Sequence, residues 1–211
     1  MTRQILWRTS SDSQRVPWRN GRGVTEQLAI WPEGSSFERG DFDWRISKAR
    51  VEESGPFSHF AGFERILLVT EGAGLVLSLG ESAPRSRLRP LEPYRFAGEW
   101  PTRADLVAGP VADFNVLTRR GVVSADAQVS RIGARRMWES MGPGHAFVHV
   151  LAGSATVRAP REEEPFELAP AESVWARELG SEEEFEIAGG SPATLVVILR
   201  IRAESRAPFT G

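Results

Sequence analysis

Two stretches of this sequence, VTEGAGLVLS at 69–78 and VLAGSATVRA at 150–159, follow the same pattern 81 residues apart. Each is typical of a strand, a tight glycine turn and a second strand. Two further pairs follow in the same order, LRPLEPYRFAGE (88–99) with LAPAESVWARE (168–178) and ADFNVLTRR (112–120) with ATLVVILRI (193–201). Three matched segments at nearly one offset predict an internal duplication.

Short apolar or alternating runs, separated by glycine and proline, occupy most of the chain between these segments. The 20 Gly and 14 Pro fall at short intervals, and many strands at such spacing are typical of a sandwich or barrel. A weak helical signal occurs in RRMWESM (135–141), and GFERIL (62–67) is compatible with either helix or strand. The acidic runs at 161–165 and 181–185 are better interpreted as hairpin tips. We therefore predict an all-β chain of two small antiparallel barrels or jelly rolls.

The composition excludes several classes of site. The 211 residues are 41% hydrophobic and 26% charged, as in an ordinary soluble globular protein. A net charge of −2 gives no basis for a nucleic-acid partner, and the lack of cysteine excludes disulfides and thiolate metal sites. No apolar run resembles a signal peptide or a membrane span, so we expect a cytoplasmic protein with no membrane partner.

The two copies of the return strand differ in polarity. Alternation places Asp113, Asn115, Leu117 and Arg119 on one face of the first copy, whereas the matched face of the second reads Thr194, Val196, Ile198 and Arg200. If this face points inward, only the first barrel has a polar interior, which requires a ligand or ordered water. The alternative is that Asp113 and Asn115 face solvent, and alternation alone does not decide.

A second strand, GDFDWRISKARV at 40–51, shows the same alternation of aromatic and polar residues. Arginine beside Asp, Asn and Ser indicates fixed hydrogen bonding rather than simple solvation, and arginine binds a carboxylate through two parallel hydrogen bonds. We therefore predict a small acidic ligand. The candidate ligand-binding residues are Asn20, Arg45, Ser47, His59, Arg65, Asp113, Asn115 and Arg119.

The histidines do not form a metal-binding pattern. His145 and His149 lie four apart on a predicted strand, about 13 Å from each other, and His59 lies in the other half. We expect no metal and no cofactor. A hydrolase is not indicated, since Gly-x-Ser-x-Gly is absent, but a His59–Asp113 pair or a carboxylate with an arginine could transfer protons.

Three motifs carry a family resemblance over roughly residues 4–121: VPWRNGRGVTEQLAIWP (16–32), DFDWRISKARVEESGPFSHFAGFERILLVTEGAG (41–74) and GPVADFNVLTRRG (109–121). They resemble the HutD/Ves family of bacteria. The resemblance implies two cupin-type barrels packed as one bicupin unit, an association with histidine utilisation, and no established catalytic activity. It also implies a regulatory or small-molecule-binding role with formylglutamate- or urocanate-like ligands. Arg22 departs from the family's glycine-rich opening turn.

These observations lead to one prediction and one alternative. We expect a first barrel with the ligand pocket over residues 1–121 and a more degenerate second barrel over 122–211, with exchange of the first strands left open. The predicted function is metal-independent binding of a small acidic metabolite. The alternative is a metal-free cupin enzyme acting on a small carboxylate, and neither a homodimer nor a protein-binding adaptor is excluded.

Overall fold

The computed structural model describes residues 5–8, 13–17, 24–80, 85–160 and 162–204. All regular elements in these ranges are β-strands, so the predicted all-β class is confirmed. Within the segment with a helical signal, 135–141, the structure has a strand at Arg136–Ser140 whose side chains alternate between exposed and half-buried. Within the described ranges, no helix is long and apolar enough to cross a membrane.

The described residues form nineteen strands, numbered here in chain order. The strands are β1 (Ile5–Arg8), β2 (Gln14–Pro17), β3 (Val24–Trp31), β4 (Trp44–Val51), β5 (Gly55–Pro56), β6 (Phe63–Glu71), β7 (Leu75–Leu79), β8 (Ser86–Leu88), β9 (Tyr94–Ala97), β10 (Thr102–Leu106), β11 (Val111–Arg119), β12 (Val123–Arg131), β13 (Arg136–Ser140), β14 (Gly144–Ala152), β15 (Ala155–Arg158), β16 (Phe166–Leu168), β17 (Ser173–Leu179), β18 (Glu184–Gly189) and β19 (Leu195–Ala203).

The chain divides into two compact units. The first barrel comprises the described residues of 13–124 with Glu204, and the second comprises 5–8 with 125–203. The sequence predicts this boundary at 121/122 and the N-terminus in the first barrel, with exchange of the first strands between the barrels left open. In the structure β1 belongs to the second barrel, where it pairs antiparallel with β17.

Each barrel is built from two antiparallel sheets with matching strand orders. The first barrel has the orders β2-β3-β4-β11-β6-β9 and β5-β10-β7-β8, and the second has β1-β17-β14-β19-β12 and β13-β18-β15-β16. Adding eight to each strand number turns the first barrel's orders β4-β11-β6-β9 and β5-β10-β7-β8 into β12-β19-β14-β17 and β13-β18-β15-β16. These are the orders found in the second barrel. The internal duplication is therefore present in the topology.

Local geometry repeats as well. Leu91 and Ala171 follow the matched Leu-x-Pro turns, and both adopt a left-handed backbone, with φ of 69° and 68°. Their amides donate to the carbonyls of Val69 and Val150 at 2.8 and 2.9 Å. The two copies of the turn thus end in the same conformation although their side chains differ.

Strand register corrects one detail of the predicted alignment. A bulge at Thr70 separates the partners of Ala112 and Asp113 in the first barrel. The equivalent bulge at Leu151 separates the partners of Leu195 and Val196. The return strands are therefore 83 residues apart, not 81. Asp113 corresponds to Val196, and the side-chain parity of the match is unchanged.

Candidate functional site

The first barrel encloses a cavity of about 770 Å³, within the range typical of small-molecule sites. Its walls come from β4, β6 and β11, from the loop before β4 and from the segment Pro56–Ala61. Six of the predicted site residues line it: Arg45, Ser47, His59, Arg65, Asp113 and Asn115. The polar faces of β4 and β11 therefore point inward rather than to solvent.

Of the other two predicted residues, only Arg119 belongs to the described part of the chain, and it does not line the cavity. Asn20, like Arg22, lies outside the described residues. Arg119 donates from Nη2 to the carbonyls of Gly40 and Phe42 at 2.6 and 2.7 Å, and its guanidinium lies 4.8 Å from the ring centre of Phe63. Arg119 thus fixes the loop that precedes β4 instead of facing the cavity.

A chain of hydrogen bonds crosses the polar wall. Arg65 donates to Oδ1 of Asn115 from Nε at 2.9 Å and from Nη2 at 2.5 Å. The amide of Asn115 in turn donates to Oδ1 of Asp113. Asn115 satisfies one side of the guanidinium and one oxygen of the carboxylate, and it lies between the two charges.

Arg45 is positioned by neutral partners on the neighbouring strands. Its Nε donates to Oε1 of Gln27 at 2.8 Å, and its Nη1 contacts Oγ of Ser47 at 3.4 Å. Strand register explains the meeting, because Ser47 pairs with Gln27 on one side and with Asn115 on the other. The three strands therefore bring Arg45 and Asn115 to one surface.

Aromatic rings cover the flat faces of both cavity arginines. The guanidinium carbon of Arg45 lies 4.4 Å from the ring centre of Phe37, and that of Arg65 lies 4.7 Å from Phe57 and 5.4 Å from Phe96. Such stacking stabilises a cation and leaves its N–H edges available. These phenylalanines and Gln27 were not predicted from the sequence. The loop PFSHF (56–60) does carry a signal, because Phe57 and Phe60 lie close together in it.

The cavity has an excess of buried positive charge. Arg45 is 4% exposed and Arg65 is 7% exposed, yet among the described residues neither lies within 4 Å of a carboxylate oxygen. Burial lowers the pKa of each arginine to about 10, which leaves both protonated at neutral pH. The carboxylate of Glu38 acts against this shift and raises the pKa of Arg45, whereas the positive charge of Arg65 lowers it, since like charges repel.

Asp113 is buried on the same wall, with 2% of its surface exposed. Burial raises its pKa to about 7, although the charge of Arg65 and hydrogen bonds from Asn115 and the backbone of Ala49 act in the opposite direction. This carboxyl group therefore changes its charge near neutral pH. Although His59 also lines the cavity, it is exposed, and the described hydrogen bonds include none between it and Asp113.

The second barrel has apolar residues at the equivalent positions. By strand register, Arg65, Asp113 and Asn115 correspond to Ala146, Val196 and Ile198. These three belong to a continuous hydrophobic cluster that fills the space between the sheets of the second barrel. The second barrel therefore folds with apolar residues at these positions, whereas the first barrel has polar residues there.

The two histidines of the second barrel contact different neighbours. The Nδ1 of His149 contacts Oγ of Ser173 at 2.8 Å, and the ring of His145 lies 6.1 Å from that of Trp175. Burial and the nearby charge of Arg177 lower the pKa of His145 to about 4. Across the described ranges, no group of three or more His, Asp or Glu side chains could hold a metal ion.

Comparisons with known proteins agree with this architecture. The profile of the HutD family matches residues 10–194. An uncharacterised 21.2 kDa protein from the hutC 3′ region of Pseudomonas putida is 39% identical over 114 residues, which cover 54% of this chain and 58% of that relative. The chain thus spans less than two thirds of that relative's length.

Solved structures show the fold. A conserved protein of unknown function from Pseudomonas aeruginosa, PA5104, has a TM-score of 0.83 at 25% identity, covering 96% of this chain and 100% of that one. HutD from Pseudomonas fluorescens, described as determined in a formate condition, has a TM-score of 0.76 at 27% identity with the same coverage. Cupin-like structures at 10% and 8% identity share the fold alone, so the predicted cupin-type fold is confirmed.

Proposed function

The chain belongs to the HutD family, which is associated with the histidine-utilisation locus, and from this premise we propose that its first barrel binds a small carboxylate metabolite. The carboxylate is held by Arg45 and Arg65, with Ser47 and Asn115 as neutral partners. The ligand resembles urocanate or formylglutamate, and the protein acts as an accessory or regulatory component of histidine breakdown. Binding does not require a metal.

The observation that supports this proposal is the pair of buried arginines without an ion-pair partner among the described residues. Burying an uncompensated charge costs several kcal/mol, roughly, so a site that keeps two such charges needs an anion or water to satisfy them. The aromatic rings over both guanidinium groups leave the N–H edges as the remaining donors. A carboxylate matches those edges in charge and geometry.

The histidine-utilisation role is supported by family membership and by the neighbouring gene that the Pseudomonas putida relative's description names. The structure of the Pseudomonas fluorescens relative is described as a formate condition, and formate is a carboxylate. Both facts concern relatives, and they direct the choice of acids to test on this chain.

One observation favours a second candidate, a metal-free enzyme acting on a small carboxylate. Asp113 lies in the cavity wall with a pKa of about 7, which suits proton transfer at neutral pH. Incubating the protein with each acid that binds and following the product by chromatography separates the two functions. Turnover that is lost in Asp113→Asn but retained in Asp113→Glu supports the enzyme, and unchanged acid supports the binding protein.

Thermal-shift measurements test the binding function. Urocanate, N-formyl-L-glutamate and glutarate are each added to the wild type and to Arg45→Gln and Arg65→Gln. A matched control is Arg50→Gln, which changes an exposed arginine on the same strand. We expect at least one acid to raise the melting temperature of the wild type and of the control but not of the two cavity variants. Equal responses in all four proteins contradict the proposal, as does the absence of any response.

A further inference from the structure

Asp113 is unusual among the charged groups of the cavity because it is a buried carboxylate in a site that otherwise favours anions. The other carboxylate on the described cavity wall, Glu38, is exposed. Asp113 is not needed by the fold, because its equivalent in the second barrel is Val196, within a hydrophobic core. A buried ionisable group at a position where valine serves the fold points to a role in the cavity.

Asn115 separates Asp113 from Arg65, so that the two do not form an ion pair. The amide group lies between them, accepting from Arg65 and donating to Asp113. Among the described ion pairs, none joins Asp113 to either cavity arginine. One oxygen of Asp113 accepts from Asn115, and the backbone N–H of Ala49 donates to the carboxylate as well. Each carboxylate oxygen has two lone pairs, so capacity for a further donor remains.

We propose that Asp113 is a second recognition point, which accepts a hydrogen bond from an N–H group of a ligand whose carboxylate is held by Arg45 and Arg65. This inference rests on the proposed function and narrows its ligand class. The site takes carboxylates that also bear an N–H donor, such as imidazole-containing or acylamino acids. It discriminates against acids of the same shape that have no such donor.

Charge explains why this class is favoured over acids that would place a second carboxylate beside Asp113. One carboxylate of the ligand gains from the two arginines, but a second placed beside Asp113 faces a like charge in a cavity with little water to screen it. An N–H donor in that place instead satisfies a buried acceptor, whose unpaired state is costly. Matching an anion and a donor to opposite parts of one wall also fixes the ligand's orientation.

Calorimetric titration with matched pairs of acids tests this inference. Urocanate is compared with 3-(furan-3-yl)acrylate, whose ring has oxygen in place of the N–H group, and N-formylglutamate with its N-methyl derivative. The titrations are run at pH 8 on the wild type and on Asp113→Val, which introduces the second barrel's residue. We expect the wild type to prefer the N–H member of at least one pair by about 10-fold or more, and Asp113→Val to lose that preference while still binding both acids.

Asp113→Asn provides a second variant if the valine substitution prevents folding, as judged by circular dichroism and melting temperature. Asparagine keeps an acceptor but removes the charge, so the preference should fall to a few-fold. Equal affinity of both members of each pair for the wild type overturns the inference and leaves carboxylate binding intact. If no acid of either pair binds the wild type at all, the proposed function fails, and the inference fails with it.

Discussion

Asp113 in the first barrel and Val196 in the second occupy equivalent positions, each at the first residue pair after a β-bulge that both strand pairs contain. One is a carboxylate in the wall of a cavity, and the other belongs to a hydrophobic core. The same backbone thus supports two interiors. The side chains, not the fold, distinguish the binding barrel from the filled one.

Exchanging the polar wall for apolar residues, as in the second barrel, should separate stability from binding. In the variant Arg65→Met, Asp113→Val and Asn115→Ile, a buried polar network is replaced by apolar groups, a change that is often neutral or stabilising by about 1–4 kcal/mol. We expect the free energy of unfolding in urea to be unchanged or higher and binding of any acid to be lost. Retained acid binding in the folded variant contradicts this expectation.

Asn115 acts as a positioning residue, because it holds Arg65 away from Asp113. Replacing it with alanine should let the two charges approach, so that Asp113 becomes the counter-ion of Arg65. We expect carboxylate affinity to fall by about 10-fold, since the ligand then competes with an internal ion pair. The pKa of Asp113, followed by carboxyl ¹³C NMR, should fall below the value of about 7 in the wild type. Asn115→Gln should restore part of the affinity. An unchanged pKa in Asn115→Ala rules out this role.

Binding of an acid without an N–H donor should weaken as the pH rises through 7. Asp113 is uncharged below its pKa of about 7 and carries a negative charge above it, which repels the bound anion and partly cancels the charge of Arg65. We expect the affinity for 3-(furan-3-yl)acrylate to fall by about 3- to 10-fold between pH 6 and pH 8. The measurement is calorimetric titration at constant ionic strength.

The other charged groups on this cavity wall are Arg45, Arg65, Glu38 and His59. A histidine that loses its proton also weakens anion binding with rising pH, so Asp113→Asn and His59→Gln serve as separate controls. The dependence should be reduced in Asp113→Asn and kept in His59→Gln. If the pH dependence is kept in Asp113→Asn and reduced in His59→Gln, Asp113 is not the titrating group.

The left-handed residue at the end of the second Leu-x-Pro turn offers a test of the duplication's geometry. Ala171 has a φ of 68°, a conformation that costs an L-residue roughly 1–2 kcal/mol relative to glycine. Even after the greater chain entropy of glycine is subtracted, Ala171→Gly should raise the free energy of unfolding by up to about 1 kcal/mol. Ala169→Gly, in the same turn but without a positive φ, should lower it. A loss of stability in both variants contradicts the turn geometry.

The sequence predicted the fold class, the duplication and the polar faces of two strands, because each leaves a local signal in spacing or alternation. Alternation could not decide whether Asp113 faced solvent or the interior, since that depends on how the sheet closes into a barrel. Alternation also could not show that Arg119 donates to the loop carbonyls of Gly40 and Phe42. Such contacts join residues nearly 80 positions apart.

The partners of the cavity arginines were similarly hidden. Gln27 reaches Arg45 only because β3 pairs with β4 in a register that includes a bulge. Phe37 and Phe57 come from irregular segments, whose paths carry no periodicity. The two-residue difference between the return strands was also missed, because only the strand register reveals it.

The most direct test of the central claim is an NMR titration that observes the Nε–H groups of the arginines in ¹⁵N-arginine-labelled protein. Signals of Arg45 and Arg65 are assigned from Arg45→Gln and Arg65→Gln, and those of Arg119 and Arg50 serve as internal controls. Titration with urocanate and with N-formyl-L-glutamate should shift the signals of Arg45 and Arg65 in a saturable manner while leaving both controls in place. Saturable shifts confined to arginines outside the cavity, or no shift with either acid, contradict carboxylate binding in the first barrel.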